Sequence, residues 1–374
     1  MKIFSNDSYS NLKSIIVGVE LNIPKRILDF SVKHFYQSNL GHSVYENPNI
    51  TGYRINEKYL RERIDDLDNL AIILKKLNVR VFRPKNITKI MPFRTPSFES
   101  AFTSSASNVR DLTIVIDDCI VEMPIFVQNR YFENLGLYDI FKNALFSPLE
   151  FDDDNAHSCN NCAKWFRAPL TDITENTIDT EHWSKKRDYS NFEKINNKYV
   201  MGLDGAQILK MRDNMIVNVA SYNHYLGFLW LKNLFPSKNW EMVTIADNHI
   251  DGSIVQLNDD LFLVNPSLKN NKTFVSELPD FMQNKKFIYP YDIPSNRELD
   301  DGTDIGIQLA SERGMDINIL SINEKTVLVN ENAHGTIQIL DEYGFDVIPI
   351  QLRHSEIFAG GIHCSTLDLL REPR

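Results

Sequence analysis

The stretch Ile317-Asn318-Ile319-Leu320-Ser321-Ile322-Asn323-Glu324-Lys325-Thr326-Val327-Leu328-Val329 holds two short apolar runs joined by a polar turn. Runs of this length, rich in β-branched residues and separated by turn formers, read as a pair of strands. Thr336 to Tyr343 then reads as a helix with Gly344 as its cap, and Phe345-Asp346-Val347-Ile348-Pro349-Ile350 as a third strand. The phrase is strand–strand–helix–strand.

The phrase recurs upstream. Strand pairs are expected at 112–116 with 120–123, at 207–211 with 215–219, and at 254–257 with 261–264. Their turns are polar, such as Asp117-Asp118 or Asn258-Asp259-Asp260. A helix over 225–235 and a strand over 240–245 follow one pair. Near the start, 11–18 reads as a buried strand ended by Gly18, and 56–78 as a helix. Leu60, Ile64, Leu67, Ala71, Leu74 and Leu77 recur there at three- and four-residue steps, which puts Glu62 and Arg63 on the polar face. A short strand closed by Pro84 comes next. Repeats of this kind predict an α/β fold with a radial or stacked plan, not one doubly wound sheet. No linker rich in Pro, Gly or Ser divides the chain, so 1–374 is expected to be a single catalytic domain with a polar excursion around 151–197.

Composition narrows the function. The 374 residues are 43% hydrophobic and 24% charged, the balance of a globular protein able to bury a large core. A net charge of −10 with scattered Lys and Arg argues against a nucleic-acid partner. The first residues lack a signal-peptide core and no apolar run has the length of a membrane span, so a cytoplasmic chain is expected. Four cysteines in so long a chain form no disulfide framework, and a reduced compartment lets a reactive thiolate persist.

The residues that could carry chemistry stand at the ends of expected strands. Asp111 precedes the run at 112–116, Asp204 precedes that at 207–211, and Asn248-His249-Ile250-Asp251-Gly252 precedes that at 254–257. Gly360-Gly361-Ile362-His363-Cys364-Ser365-Thr366 offers a thiol behind paired glycines, with a histidine beside it. A thiol nucleophile needs a base or a neighbouring positive charge, and His249, His354 and His363 compete for that role. Two or three carboxylates around one thiol suit a planar cation, and a guanidinium pairs bidentately with carboxylates. Asp204-Gly205 and Asp251-Gly252 are also ordinary turn dipeptides, and Cys364 could simply pack behind a tight turn. In a radial fold, however, equivalent places in successive units converge on one axis. Cys159-Asn160-Asn161-Cys162, with His157 before it, lacks the second ligand pair of a zinc site and reads as a surface loop without metal.

Taken together, these blocks resemble the amidinotransferase family, which includes arginine:glycine amidinotransferase, inosamine-phosphate amidinotransferase and enzymes of cyanobacterial toxin pathways. Leu12 to Gly18 is similar to the family's opening strand. Arg110-Asp111, Val121-Glu122-Met123-Pro124 and Asn129-Arg130-Tyr131-Phe132-Glu133 resemble its first active-site block. Leu203-Asp204-Gly205-Ala206 with Arg212-Asp213, His249-Ile250-Asp251, and Gly361 to Thr366 resemble the other three. The resemblance implies a five-bladed α/β propeller, the pentein fold, and a ping-pong reaction needing no metal or cofactor. In it Cys364 attacks a guanidino donor, expected to be arginine, and an amine acceptor collects the amidino group. His249 handles protons and Asp204 orients it. Asp111 and Asp251 grip the guanidinium, and Arg130, Ser365 and Thr366 complete the substrate site. Small-molecule substrates and a homodimer are implied, with specialised metabolism as the setting.

The resemblance has gaps. Asn265-Pro266 is followed by Ser267-Leu268-Lys269, where members using arginine and glycine carry an arginine for a carboxylate. Ser311-Glu312 stands where a serine pair is expected, and a glycine triplet is reduced to Gly360-Gly361 after Ala359. A guanidine hydrolase of the same superfamily, with water as second nucleophile, is the alternative reading.

Overall fold

A computed structural model describes residues 1–373 except 41, 86–88, 90, 146–162, 170, 172, 182–187, 191–193, 195–197, 247, 272 and 294–301. Among the described residues, five three-stranded sheets share one plan. In each, two strands pair antiparallel and a third joins parallel to the middle one. The sheets are Thr113–Ile116, Cys119–Glu122 and Lys164–Arg167; Ile208–Met211, Asn214–Asn218 and Asn239–Val243; Ile254–Gln256, Leu261–Val264 and Lys286–Ile288; and Leu320–Ser321, Thr326–Asn330 and Asp346–Ile350. The fifth joins the chain's two ends: Thr366–Arg371 pairs antiparallel with Leu12–Val17, and Arg80–Phe82 joins parallel.

Parallel neighbours need a crossover. Helices supply it, for example Glu57–Lys76 before Arg80–Phe82, Tyr222–Leu234 before Asn239–Val243, and His334–Glu342 before Asp346–Ile350. The expected repeat is therefore present. The antiparallel partner of the opening strand, absent from the reading of the sequence, comes from the far end of the chain.

The inner strands are buried on both faces, which is why they read as unbroken apolar runs such as Leu-Phe-Leu-Val at Leu261–Val264. Alternate residues enter different cores. Ile114 and Val121 pack with Met215 and Val217 of the second sheet. Ile216 of the second packs with Phe262 and Val264 of the third. Leu263 of the third packs with Val327 and Val329 of the fourth. Leu328 of the fourth packs with Ile15 and Val17 of the fifth. Ile16 and Leu367 of the fifth pack with Val115 and Ile120 of the first. Each sheet thus covers its neighbour, and the last covers the first.

The helix Glu57–Lys76 corrects one expectation. Its apolar stripe packs as read, but Arg63 is fully buried and Glu62 faces the protein, because residues 352–365 lie across that side. No helix among the described residues is long and apolar enough to cross a membrane.

Candidate active site

The first strand of each unit is approached through a short turn, and the residues expected to carry chemistry sit in these turns. Asp111 is in the helical turn Val109–Leu112, which leads into Thr113–Ile116. Asp204 caps the turn Gly205–Gln207 before Ile208–Met211. His249 caps, and Asp251 belongs to, the turn Ile250–Gly252 before Ile254–Gln256. Cys364 stands just ahead of Thr366–Arg371. Asn318 occupies the matching place before Leu320–Ser321. Since the sheets follow one another in succession, these five approaches meet.

The structure brings them within contact of one another. His249 Nε2 lies 3.0 Å from Asp204 Oδ2, and its Nδ1 3.8 Å from Asp111 Oδ1. The donor atoms of Asp111, His249 and Cys364 all fall within 4.8 Å of one another. The Cys364 thiol donates to Asp251 Oδ2 at 3.3 Å and receives the Asn318 side-chain amide at 3.2 Å. The other Asn318 group, Oδ1, accepts the Cys364 backbone N–H at 3.0 Å. His363 Nδ1 lies 2.8 Å from Asp251 Oδ2. The Arg110 backbone N–H donates to the Cys364 carbonyl at 3.3 Å, which ties the nucleophile turn to the Asp111 turn.

Electrostatics sort the groups. Burial and the Asp251 charge push the Cys364 thiol up to about 12, against the opposing pull of His249. Burial resists charge on His249, but Asp111, the Asp204 hydrogen bond and Cys364 outweigh it and hold the imidazolium well above the ordinary histidine range. Burial also opposes the Asp251 charge, yet the His363 hydrogen bond brings that carboxyl down to about 2. His363 is lowered by burial and by Arg110, so it donates N–H as a neutral ring. The resting site is thus a neutral thiol beside an imidazolium and the Asp251 carboxylate, while burial pushes the Asp111 carboxyl up against the pull of His249 and Arg130. The ligating atoms of Asp111, His249 and Cys364 are also close enough to share one metal ion.

Two carboxylate oxygens here are orphans. Asp111 Oδ1 and Asp204 Oδ1 are buried with no hydrogen-bond partner. A cavity of about 330 Å³ opens at the thiol and the imidazole, and neither Asp111 nor Asp204 is among its lining residues. Its lining includes Cys364, His249 and Asp251 together with Asn39, Asn248, Asn265 and Ser311. No lysine or arginine is among its described lining residues, and Lys269 is exposed elsewhere.

Three residues expected at the substrate are committed elsewhere. Arg130 is buried and spends its guanidinium on Asp111 Oδ2 at 2.8 Å, Glu133 and the Asn108 carbonyl. Ser365 is fully buried, its hydroxyl accepting from Arg63 at 2.7 Å. The Thr366 hydroxyl returns to the Ile362 and His363 carbonyls. Sequence neighbours of a nucleophile need not share its face. His354 is also distant from this chemistry: it stacks on Tyr59 and bonds Glu62. The paired glycines serve side chains here rather than a ligand. A Cβ on Gly360 would meet Asn108 Oδ1 at 2.1 Å, and one on Gly361 would meet Asn318 Oδ1 at 2.6 Å. Both asparagines were missed in the sequence: Asn318 fell inside the run read as a strand, whereas the strand begins at Leu320 and leaves Asn318 in the approach to it. The sequence His157 to Cys162 lies outside the described residues.

No protein-family model matches the chain. Curated relatives do. An inosamine-phosphate amidinotransferase of Streptomyces griseus is 26% identical over 326 residues, 85% of this chain and 83% of the relative. The mitochondrial glycine amidinotransferase of Gallus gallus is 24% identical over 324 residues, 84% of this chain and 70% of the relative. Among solved structures, an inosamine-phosphate amidinotransferase from Streptomyces griseus superposes with a TM-score of 0.79 at 23% identity, covering 100% of this chain and 97% of the other. An amidinotransferase of the saxitoxin pathway from Microseira wollei gives 0.76 at 21% identity, covering 100% and 98%. The protein is an enzyme of the transferase class. The relatives that it matches by sequence and by fold include amidinotransferases.

Proposed function

We propose that the protein moves an amidino group from a guanidino donor, arginine first among them, to an amine acceptor through a covalent amidino-cysteine. The observation that supports this reading best is the meeting of the Cys364 thiol, the His249 ring and the Asp111 carboxyl within 4.8 Å of one another, with Asp251 on the sulfur and Asp111 Oδ1 without a hydrogen bond. A buried acceptor without a partner costs about 1–3 kcal/mol. A planar cation with five N–H donors relieves that cost at each one it reaches.

The steps follow from the charges. The arriving guanidinium sits between Asp111 and Asp251, and its charge favours the thiolate, so the thiol proton is released to solvent as the cation binds, and it is taken back when the product leaves. Sγ of Cys364 attacks the central carbon. His249 gives its proton to the departing amine nitrogen, the C–N bond breaks, and a cationic amidino group remains on sulfur. The neutral imidazole, kept in place by Asp204, then takes a proton from the acceptor amine. That amine attacks the same carbon, the C–S bond breaks, and the thiolate is regenerated. Arg130 serves by fixing Asp111, and Ser365 and Thr366 by shaping the nucleophile turn. No metal or organic cofactor takes part. The amide-lined cavity suits an amine with a neutral polar body, as in specialised metabolism. The five sheets act as blades of a five-bladed α/β propeller, and 1–374 as one catalytic domain.

The test is incubation with arginine, read by intact mass and by amino-acid analysis. Ornithine together with an amidino adduct that is absent from Cys364→Ala is the expected result. Neither product from folded protein overturns the reading, and citrulline formed without added amine transfers it to guanidine hydrolysis.

A further inference from the structure

Arg63 is fully buried in the middle of the helix Glu57–Lys76. Its Nη2 donates to the Ser365 hydroxyl at 2.7 Å and reaches Asn108 Oδ1 at 3.5 Å. The guanidinium lies 5.5 Å from the centre of the Phe358 ring. Its Nε and Nη1 have no hydrogen-bond partner. The carboxylate one turn along, Asp66, is occupied by Arg353 at 2.6 Å. A buried cation without a paired carboxylate carries a desolvation penalty of several kcal/mol. A serine hydroxyl could be held by a neutral donor at much lower cost.

The two partners of Arg63 explain where it acts. Ser365 follows Cys364 directly. The Asn108 amide donates to the carbonyls of Phe358 and Ala359, at 3.0 and 3.2 Å. Its backbone carbonyl accepts the Asp111 N–H at 3.3 Å and Arg130 Nη2 at 3.1 Å. Arg63 therefore stands where the nucleophile turn and the Asp111 turn are joined.

We propose that Arg63 is a positioning residue for Cys364: through Ser365 and Asn108 it locks the nucleophile turn to the Asp111 turn, and its positive charge favours the thiolate over the thiol. The charged groups facing Arg63 are Glu20, Asp66 and Glu356, with Cys364 itself. Those facing the sulfur are Asp251, Asp111 and His249. On the sulfur Arg63 works with His249 and against the two carboxylates. The proposal rests on Cys364 being the nucleophile, so its test uses a readout that needs no amidino transfer.

That readout is the pH dependence of Cys364 alkylation by a neutral reagent, with a guanidinium ion bound, alongside steady-state kinetics per folded protein. Arg63→Met removes charge and hydrogen bonds together. It is expected to move the alkylation profile up by about one pH unit and to lower kcat by about tenfold to a hundredfold, with KM changed less. Arg63→Lys keeps the charge and should restore the profile while recovering only part of kcat. Ser365→Ala cuts the link and keeps the charge, so kcat should fall with the profile unmoved. These variants remain informative if Arg63→Met does not fold. An Arg63→Met or Arg63→Lys protein with wild-type profile and kcat would overturn the proposal. So would an Arg63→Lys profile displaced as far as that of Arg63→Met, or a loss of activity in every variant explained by its unfolded fraction.

Discussion

Asn318 holds Cys364 at two points, donating from Nδ2 to Sγ at 3.2 Å and accepting the backbone N–H on Oδ1 at 3.0 Å. The two contacts fix both the sulfur and the peptide that carries it. An N–H aimed at the sulfur stabilises the thiolate more than the thiol, so the contact strengthens as the nucleophile forms. Asn318→Ala is expected to lower kcat by about tenfold to a hundredfold with KM little changed. Asn318→Asp should be worse, because a further carboxylate would face the sulfur. Steady-state kinetics of the two variants check this, and equal activities would show that Asn318 serves packing alone.

The resting thiol gives a second prediction. With Cys364 raised to about 12 by burial and Asp251, almost none of it is thiolate at neutral pH. Alkylation of the free enzyme by a neutral reagent should be slow at pH 7 and still rising at pH 10. A small guanidinium ion should accelerate it at fixed pH, since a cation among the carboxylates favours the anion on sulfur. Rapid alkylation of the free enzyme at pH 7 would contradict this.

His249 gives a third. Its proton is retained well above the ordinary histidine range, because Asp111 and Asp204 outweigh burial. Asp204→Asn replaces the charged partner of Nε2 and should lower the histidine pKa. The general acid is then lost at a lower pH, so the alkaline limb of the kcat profile moves down. At pH 7 the rate should drop by on the order of a hundredfold. An alkaline limb that stays in place would separate Asp204 from the acid group.

Some of this was legible in the chain and some was not. The strand pairs announce themselves because inner strands are buried on both faces, leaving apolar runs such as Thr113–Ile116. Asp111, Asp204, His249 and Asp251 were singled out because each precedes the first strand of a unit, and Cys364 because it follows paired glycines beside a histidine; the structure brings the five together. The pairing of Leu12–Val17 with Thr366–Arg371 leaves no local trace, since neither run carries information about a partner at the other end. Arg63 was read with the polar face because of its charge, yet it follows Leu60 by three residues and precedes Leu67 by four, which puts it on the buried side of the helix. Ser365 and Thr366, expected at the substrate from the resemblance, have their hydroxyls engaged by Arg63 and by the Ile362 and His363 carbonyls.

A fourth prediction concerns the strand that follows the nucleophile. Asp368 is buried on Thr366–Arg371 and accepts from Arg110 at 2.8 Å, Lys210 at 3.0 Å and Arg371 at 3.3 Å, with the Ser5 hydroxyl as a further donor. Burial opposes its charge, but these three cations hold the carboxyl well below the ordinary aspartate range. A depressed pKa means that the stabilisation is present above the unfolded value of about 4 and is lost as pH falls through the folded one. Asp368→Asn keeps the shape and removes the charge, leaving three buried cations without a counter-ion. The expected cost is about 3–5 kcal/mol by urea unfolding at pH 7, and the variant should lose less further stability between about pH 4 and pH 2 than the wild type. Because Arg110 adjoins Asp111 and Lys210 lies on the strand that Asp204 precedes, the same substitution should loosen the site, lowering activity per folded molecule. A stability loss below about 1 kcal/mol would mean that the cations find water when the carboxylate is gone, and that this cluster does not fasten the turns.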